Sequence, residues 1–493
     1  MDHLHERFSQ VATDMKRYLL PLRTLLVAGS LLVTTGCGSD FVNLVPPEAL
    51  PVTEFYRTEN DIRSAVTGAY GNLRSIYNTF WQYTELPSDN TQTFGESEGI
   101  FGAFDKLTWL PSTGAVAGAW NDGYRTIAHC NVVLDKINAV PMTETTKNQY
   151  IGELKFIRAL MYFNLVRLYG EVPIVLKEIT SEAEAYSFVR KPVAEVYAQI
   201  EKDLLEAEPV LPAKHAGANI GRVTSGAVQS LLGKAYLQQE KWSQAETILA
   251  KVVGAGTYRI LPSATDVFGA GKDNNDEIVF AVQYVSGGFN EGNVFAHTFA
   301  PQPSTVIRLT GSSYNVGTRD LYDAFETGDL RRDIYGGVFT SGAFFYYWAK
   351  KFVDPSISLL NEGSNDWPVL RYADVLLMYA EALNNREKTT LALAQLTDIR
   401  KRAGLAPLTG LTQAATQLAI ERERRVELCF EGHRWHDLIR WKKEVPTMAA
   451  FREKYRAVDP TIANISISET KKLLPVPFRE LSLNPNLTQN LGY

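Results

Sequence analysis

Residues 230–253 read SLLGKAYLQQEKWSQAETILAKVV. Leu232, Tyr236, Trp242 and Leu249 recur at helical spacing on both sides of the polar break Gln238–Lys241, so the stretch predicts two helices joined by a tight turn. Gly233 and Ala245 are small enough to let those helices approach, and Tyr236 and Trp242 fill the space between them. A fold built on such pairs is predominantly helical.

Working outward, the small–large alternation resembles the tetratricopeptide pattern. LLMYAEALNN (376–385) with LALAQLTDIRKRAG (391–404), and ALMYFNLVRLYGEVP (159–173), carry degraded forms of it. These copies do not recur every 34 residues or so, which rules out a simple solenoid. Further amphipathic segments lie at 119–138, 146–170, 191–208, 368–385, 390–403 and 413–441. In ENDIRSAVTGAYGNLRSIY, Ile62, Val66, Ala69, Leu73 and Ile76 form one apolar face, with Thr58 and Asn60 available as N-caps. The predicted fold is mainly α, with tetratricopeptide-like helix hairpins as framework (58–80, 119–253 and 368–441), an irregular C-terminal tail (442–493) and a few short strands.

Two insertions interrupt this framework, residues 81–118 and 254–366. Both are dense in Gly, Ser, Asn and aromatics, with little helical period. Within the second, DEIVFAVQYV (276–285) predicts a strand. Long irregular segments inside a compact domain are usually functional, so the ligand-binding region is expected here.

The chain has 493 residues, 45% hydrophobic and 21% charged, with net charge −5. That is a globular composition, and without a Lys/Arg cluster to neutralise phosphates nucleic acid is not an expected partner. Near the N-terminus, Met15-Lys16-Arg17 and Arg23 precede the apolar run LLVAGSLLV (25–33). This is a secretory signal pattern, too short for the roughly 20 residues of a membrane-spanning helix. The polar lead 1–14 fits an upstream start, with Met15 as the true one. Thr34-Thr35-Gly36-Cys37 ends the run and resembles a bacterial lipobox, although the position three before the cysteine is usually aliphatic. Residues 1–36 are thus expected to be a signal peptide, Cys37 the lipidated N-terminus, and 37–57 a polar, Pro-bearing tether; two or three acyl chains anchor a protein stably. Cys130 and Cys429 lie in helical patterns and are expected as buried free thiols.

ERERRVELCFEGHRWHDLIRW (421–441) raises the question of a catalytic or metal site, since it holds two histidines, an aspartate and four glutamates. A zincin needs His-Glu-x-x-His; here His433 and His436 are i,i+3 with Arg434 between them, which would repel a divalent cation. Val426, Cys429, Phe430, Leu438 and Ile439 form an apolar stripe that leaves Glu421, Glu423, Arg424 and Glu427 on flanking faces. Glu421 and Arg425 have favourable i,i+4 order, and Gly432 marks a kink or break. The expectation is a structural Arg–Glu–His network, with neither metal nor cofactor. No nucleophile elbow or Walker loop occurs, and GAGTY and GAGKDNND lack the strand–glycine–helix context of a dinucleotide site. A carboxylate pair for glycoside hydrolysis could come from Glu85, Asp89, Glu96 and Glu98.

Sugar rings present apolar C–H faces and hydroxyls, so a lectin-like site needs aromatic platforms edged by amides or carboxylates. The insertions offer Tyr83, Trp109, Phe289, Tyr314, Tyr346 and Trp348 with Asp89, Asn90 and Asn290. These are the candidate ligand residues.

Several segments together resemble the SusD/RagB family of nutrient-capturing surface lipoproteins: EFYRTENDIRSAVTGAY, RALMYFNLVRLYGEVP, LRYADVLLMYAEALN, IRKRAGL, the 421–441 stretch and the terminal LLPVPFRELSLNPNLTQNLGY. The resemblance covers essentially the whole mature chain. It implies a single helical domain over 58–493, no catalysis, and outward-facing attachment to the outer membrane through Cys37. It also implies an oligosaccharide ligand, or a peptide as in some members, and a SusC-like TonB-dependent transporter as partner. A lipid-anchored glycoside hydrolase and a pure protein scaffold are the competing expectations.

Overall fold

The computed structural model describes residues 55–493 apart from 95–97, 342–343, 458–461, 463–464 and 466. The expectations for the signal segment, Cys37 and most of the tether lie outside these residues. The long helices are α1 (Glu59–Thr84), α2 (Gly114–Lys136), α3 (Glu144–Tyr169), α4 (Val193–Ala207), α5 (Ser225–Gln238), α6 (Trp242–Ala255), α7 (Tyr372–Asn385) and α8 (Gln413–Glu427), followed by α9 (Arg434–Arg440) and α10 (Glu444–Tyr455). From α1 to α8 each packs on the next in chain order, the arrangement that successive hairpins produce.

Local chemistry sets the ends. Thr58 and Asp61 form a reciprocal capping box at the start of α1. Thr143, Thr224 and Thr412 cap α3, α5 and α8 by accepting a backbone N–H, and Gly256 ends α6 in the left-handed conformation at φ 64°. Helix α3 is buried on nearly all sides, with Phe156, Met161, Tyr162 and Tyr169 closed to solvent, and forms the centre of the core. In the α5–α6 hairpin a Cβ on Gly233 would stand 2.4 Å from Leu249 Cδ2 and 2.6 Å from its Cγ. The close approach read from the sequence is therefore real.

The strands are β1 (Thr91–Gln92), β2 (Ile278–Val282), β3 (Val316–Gly317), β4 (Gly336–Ser341), β5 (Phe344–Ala349) and β6 (Trp367–Arg371). One antiparallel sheet has the order β1-β3-β5-β4, and β2 pairs with β6. Strand β2 falls within the predicted 276–285.

Four boundaries differ from expectation. Helix α1 runs to Thr84, because Trp81, Tyr83 and Thr84 extend its buried face into the first insertion. Residues 368–371, expected within a helix, form most of β6 instead, since Pro368 has no amide hydrogen and β2 supplies a partner. The kink or break expected at Gly432 within 413–441 comes earlier, after Glu427, with Phe430 and Gly432 at φ of 68° and 80°, and α9 restarts beyond. The tail carries helices, α10 and Phe478–Leu483.

Replacing Gly233 with Val should destabilise the fold by about 1–3 kcal/mol, as overpacking a filled interface does. Urea denaturation followed by circular dichroism checks this.

Candidate functional site

The 421–441 stretch is the hub of a buried ion network. Glu427, closed to solvent on α8, accepts from Arg371 at 2.7 Å, Arg331 at 3.0 Å and the Tyr335 hydroxyl at 3.0 Å, and also from Arg402. Glu431 receives Arg371 in two parallel bonds of 2.8 Å and Lys351 at 2.6 Å. Glu277, the residue before β2, joins Arg371 and Arg402. Burial opposes the charged forms of Glu427 and Glu431, but the surrounding cations outweigh it and hold both carboxyls below the ordinary range. Glu423, Arg424 and Glu427, placed on flanking faces by the hydropathy pattern, are thus interior groups. Arg425 pairs with Asp89 at 3.0 Å and Asp320 at 2.9 Å, while Glu421 meets Lys443, so the expected 421–425 pair does not form. Burial, reinforced by Lys234, pushes the His433 ring down to about 3, and His436 is likewise driven down. Both imidazoles are neutral packing groups.

From this hub two guanidiniums reach the first insertion. Arg434 grips the Asp89 carboxylate at 2.8 and 2.9 Å, and Arg425 donates to the Asn90 side-chain oxygen at 2.8 Å. The second insertion ties on at the same place. The Thr318 hydroxyl donates to the Asp89 carbonyl at 2.7 Å and the Thr318 N–H to the Asn90 carbonyl at 2.9 Å. Burial alone would raise Asp89, yet Arg425 and Arg434 hold it at about 2. Glu85, also buried, accepts from the Gly432 N–H, but desolvation dominates and raises it to about 8.

Held this way, β1 pairs with β3, Gln92 opposite Val316, and Val316 lies opposite Trp348 of β5. Side chains alternate across a strand. Phe345 and Tyr347 pack inward on Tyr322, and Tyr347 also on Phe430. The opposite face carries Gln92, Val316, Tyr346, Trp348 and Phe339, of which Val316, Tyr346 and Trp348 are buried, with Phe94 and Tyr314 two residues beyond β1 and before β3. Phe94, Tyr346 and Phe339 form a row with ring centroids 4.2 and 6.0 Å apart; Tyr314 meets Phe101 at 5.2 Å, and Trp348 lies over Gly337. Gln92, Phe94, Phe101, Tyr314 and Phe339 are partly exposed.

Three candidate residues, Tyr314, Tyr346 and Trp348, therefore share one face. Tyr346 and Trp348 are only 3% and 7% exposed, so truncating either removes packing of the sheet itself. The others lie elsewhere. Tyr83 donates to the Ala115 carbonyl and Trp109 packs on Phe104, both closed to solvent; Asp89 and Asn90 are the clamp. These four are interior framework, because burial of large rings and pairing with arginine outweigh exposure. Phe289, 75% exposed, and Asn290 sit on another loop, where Glu362 accepts the Gly288 and Asn290 N–H groups. Of the carboxylates weighed for hydrolysis, Glu85 and Asp89 are buried; Glu96 and the side chain of Glu98 lie outside the described residues. Sequence reasoning missed Phe94, two residues past β1, Phe101, on the short helix Glu98–Asp105, and Phe339, the one of the three that lies inside a strand. Cys130 and Cys429 are buried free thiols, each pushed up to about 12 by desolvation.

Residues 335–493 match the family model described as the SusD family, and residues 40–237 match one described as "Starch-binding associating with outer membrane". Over both stretches the chain is similar to the SusD family. Its SusD-family relatives include "SusD-like protein P25" of Formosa agariphila, 27% identical over 91% of this chain and 95% of that one. "Starch-binding protein SusD" of Bacteroides thetaiotaomicron is 23% identical, with coverage of 85% and 86%. Among solved SusD-like structures, a "Laminarin binding SusD-like protein" superposes with TM-score 0.77 at 28% identity, covering 89% of this chain and all of the other. No helix among the described residues is long and apolar enough to cross a membrane.

Asp89→Ala, which leaves the buried Arg434 without its carboxylate while Arg425 keeps Asp320, should cost about 3–5 kcal/mol of stability in denaturant unfolding. Asp89 and Asp437 both lie at about 2, below their ordinary 3.8. The stability they contribute is present above pH 3.8 and lost as pH falls through about 2, so acid unfolding monitored by tryptophan fluorescence should centre there. Glu85 has the opposite sign: its raised value means stability declines as pH rises from the ordinary 4.5 to about 8. Glu85→Gln should flatten that decline in melting temperatures measured between pH 5 and 8.

Proposed function

We propose that this chain is a non-catalytic glycan-binding lipoprotein of the outer membrane, anchored through Cys37, that captures an oligosaccharide and passes it to a TonB-dependent transporter of the SusC type. One observation carries the reading: both insertions contribute to a single aromatic face, held rigid by arginine–aspartate pairs from the helical framework. The partly exposed rings Phe94, Phe101, Tyr314 and Phe339 suit sugar rings, whose C–H faces stack on them while Gln92 offers an amide to hydroxyls. Preorganisation keeps the ordering cost of binding low. The names of relatives, starch-binding and laminarin-binding among them, support a polysaccharide ligand.

Tyr314 and Phe94, as partly exposed rings, are the residues to test. Alanine at either should weaken glycan binding by about 0.5–1.5 kcal/mol, roughly two- to twelvefold, with little change in melting temperature. A glycan array followed by calorimetry reads this out. Unchanged affinity in both variants would remove the face from consideration, and steady release of reducing ends would favour a hydrolase. Cys37→Ala should shift the protein from the membrane fraction to the soluble fraction of cells.

A further inference from the structure

A cavity of about 320 Å³ lies outside the insertion sheet, between α2, the segment 173–188 and the C-terminal residues 480–487. Its size falls at the lower end of small-ligand pockets, about 300–1,000 Å³. Trp120 and Tyr124, one turn apart on α2 with ring centroids 5.0 Å apart, form one wall, and Tyr186 and Phe188 line it with them. Trp120 is backed by Tyr169, edge-on at 5.1 Å.

These walls are fixed in place. The Tyr124 hydroxyl donates to the Pro173 carbonyl at 2.7 Å, and the side-chain amides of Asn484 and Asn486 donate to the Phe188 and Tyr186 carbonyls at 2.8 and 2.9 Å. Arg190 adds a bond to the Thr488 carbonyl at 3.0 Å. The C-terminal segment thus closes the cavity and sets the loop that carries two of its rings.

Among the polar side chains that line the cavity are Asn121, Glu480 and the Tyr186 hydroxyl. Glu480 is partly exposed; burial raises its carboxyl above the ordinary value, and neighbouring Arg479 offsets only part of this. Four rings with one amide and one carboxylate suit a ligand that is apolar on its faces and rich in hydroxyl donors at its edge. A pyranose ring has this character, whereas an aliphatic chain would leave the carboxylate desolvated without a partner. A uronate or sulfate group would meet the carboxylate as a like charge.

We propose that this cavity is a second saccharide subsite, binding the end of a neutral oligosaccharide and excluding acidic sugars through Glu480. It rests on the glycan reading above but uses none of the residues of the aromatic sheet face. Two subsites on one rigid body would hold a long glycan by multivalency, raising avidity without any new contact at either.

The test uses methyl-labelled full-length protein, with the Ile127 and Ile179 methyls lining the cavity as reporters. Laminarihexaose, maltohexaose, cellohexaose and hexagalacturonate are titrated in turn by NMR and calorimetry. The expected result is that a neutral hexaose moves both methyl signals in the wild type and in Tyr314→Ala, and that hexagalacturonate does not. Phe188→Ala should weaken the response about fivefold, and Glu480→Gln should admit the uronate. Heat of binding without movement of either methyl overturns the subsite and leaves the sheet-face reading standing. Equal movement by hexagalacturonate overturns the exclusion of acidic sugars, and absence of both heat and shift with every hexaose overturns both readings.

Discussion

Everything in the molecule leans on the pairing of Arg371 with Glu427 and Glu431. Desolvating that many charges costs several kcal/mol per ion, repaid only where geometry is good and every lone pair and proton is used. Here Arg371 bonds to three carboxylates and a backbone carbonyl, and Lys351 and Arg402 fill the remaining positions on Glu431 and Glu427. These residues come from β6, the residue before β2, the segment after β5, α8, the segment after α8 and the helix Thr397–Arg402. Such a network is weak as a source of stability and strong as a source of uniqueness, because any other register of these elements would leave a charge buried alone.

The same constraint explains what could be read from the chain beforehand. Helix identity was legible wherever apolar residues recur at 3.6 spacing, as in Ile62–Ile76 and the α5–α6 hairpin, since burial of one face drives those elements. The 421–441 stretch was legible as structural because Arg434 separates its histidines. Its depth was not, because a hydropathy pattern counts Glu423 and Glu427 as solvent-facing and cannot know that Arg331, Arg371 and Arg402 converge on them from distant segments. The break at Phe430–Gly432 was signalled by glycine alone. The tail's α10 escaped notice because its apolar residues make no continuous stripe.

For the ligand region, composition located the two insertions but could not assign faces. Tyr314, Tyr346 and Trp348 were chosen as aromatics in irregular chain, and the sheet does bring them to one side. Tyr83 and Trp109 were chosen on the same grounds and are core residues, because a large ring near a helix is usually buried. Facing is decided by pairing, and β1 and β3 are two residues long. No period can be read from two residues.

The pairing of Thr91 with Gly317 also joins positions separated by almost half the chain. Closing so long a loop is entropically unfavourable until its ends are already near one another. The helices of the stack pack in chain order, although the second insertion separates α6 from α7, and none of those helix contacts uses the Thr91–Gly317 pair. On loop-closure cost the aromatic sheet is expected to form late, and by the same energetics to open first. A protease or a hydrogen-exchange probe would meet the ligand-bearing region as a separate, less protected unit on a helical body that stays folded.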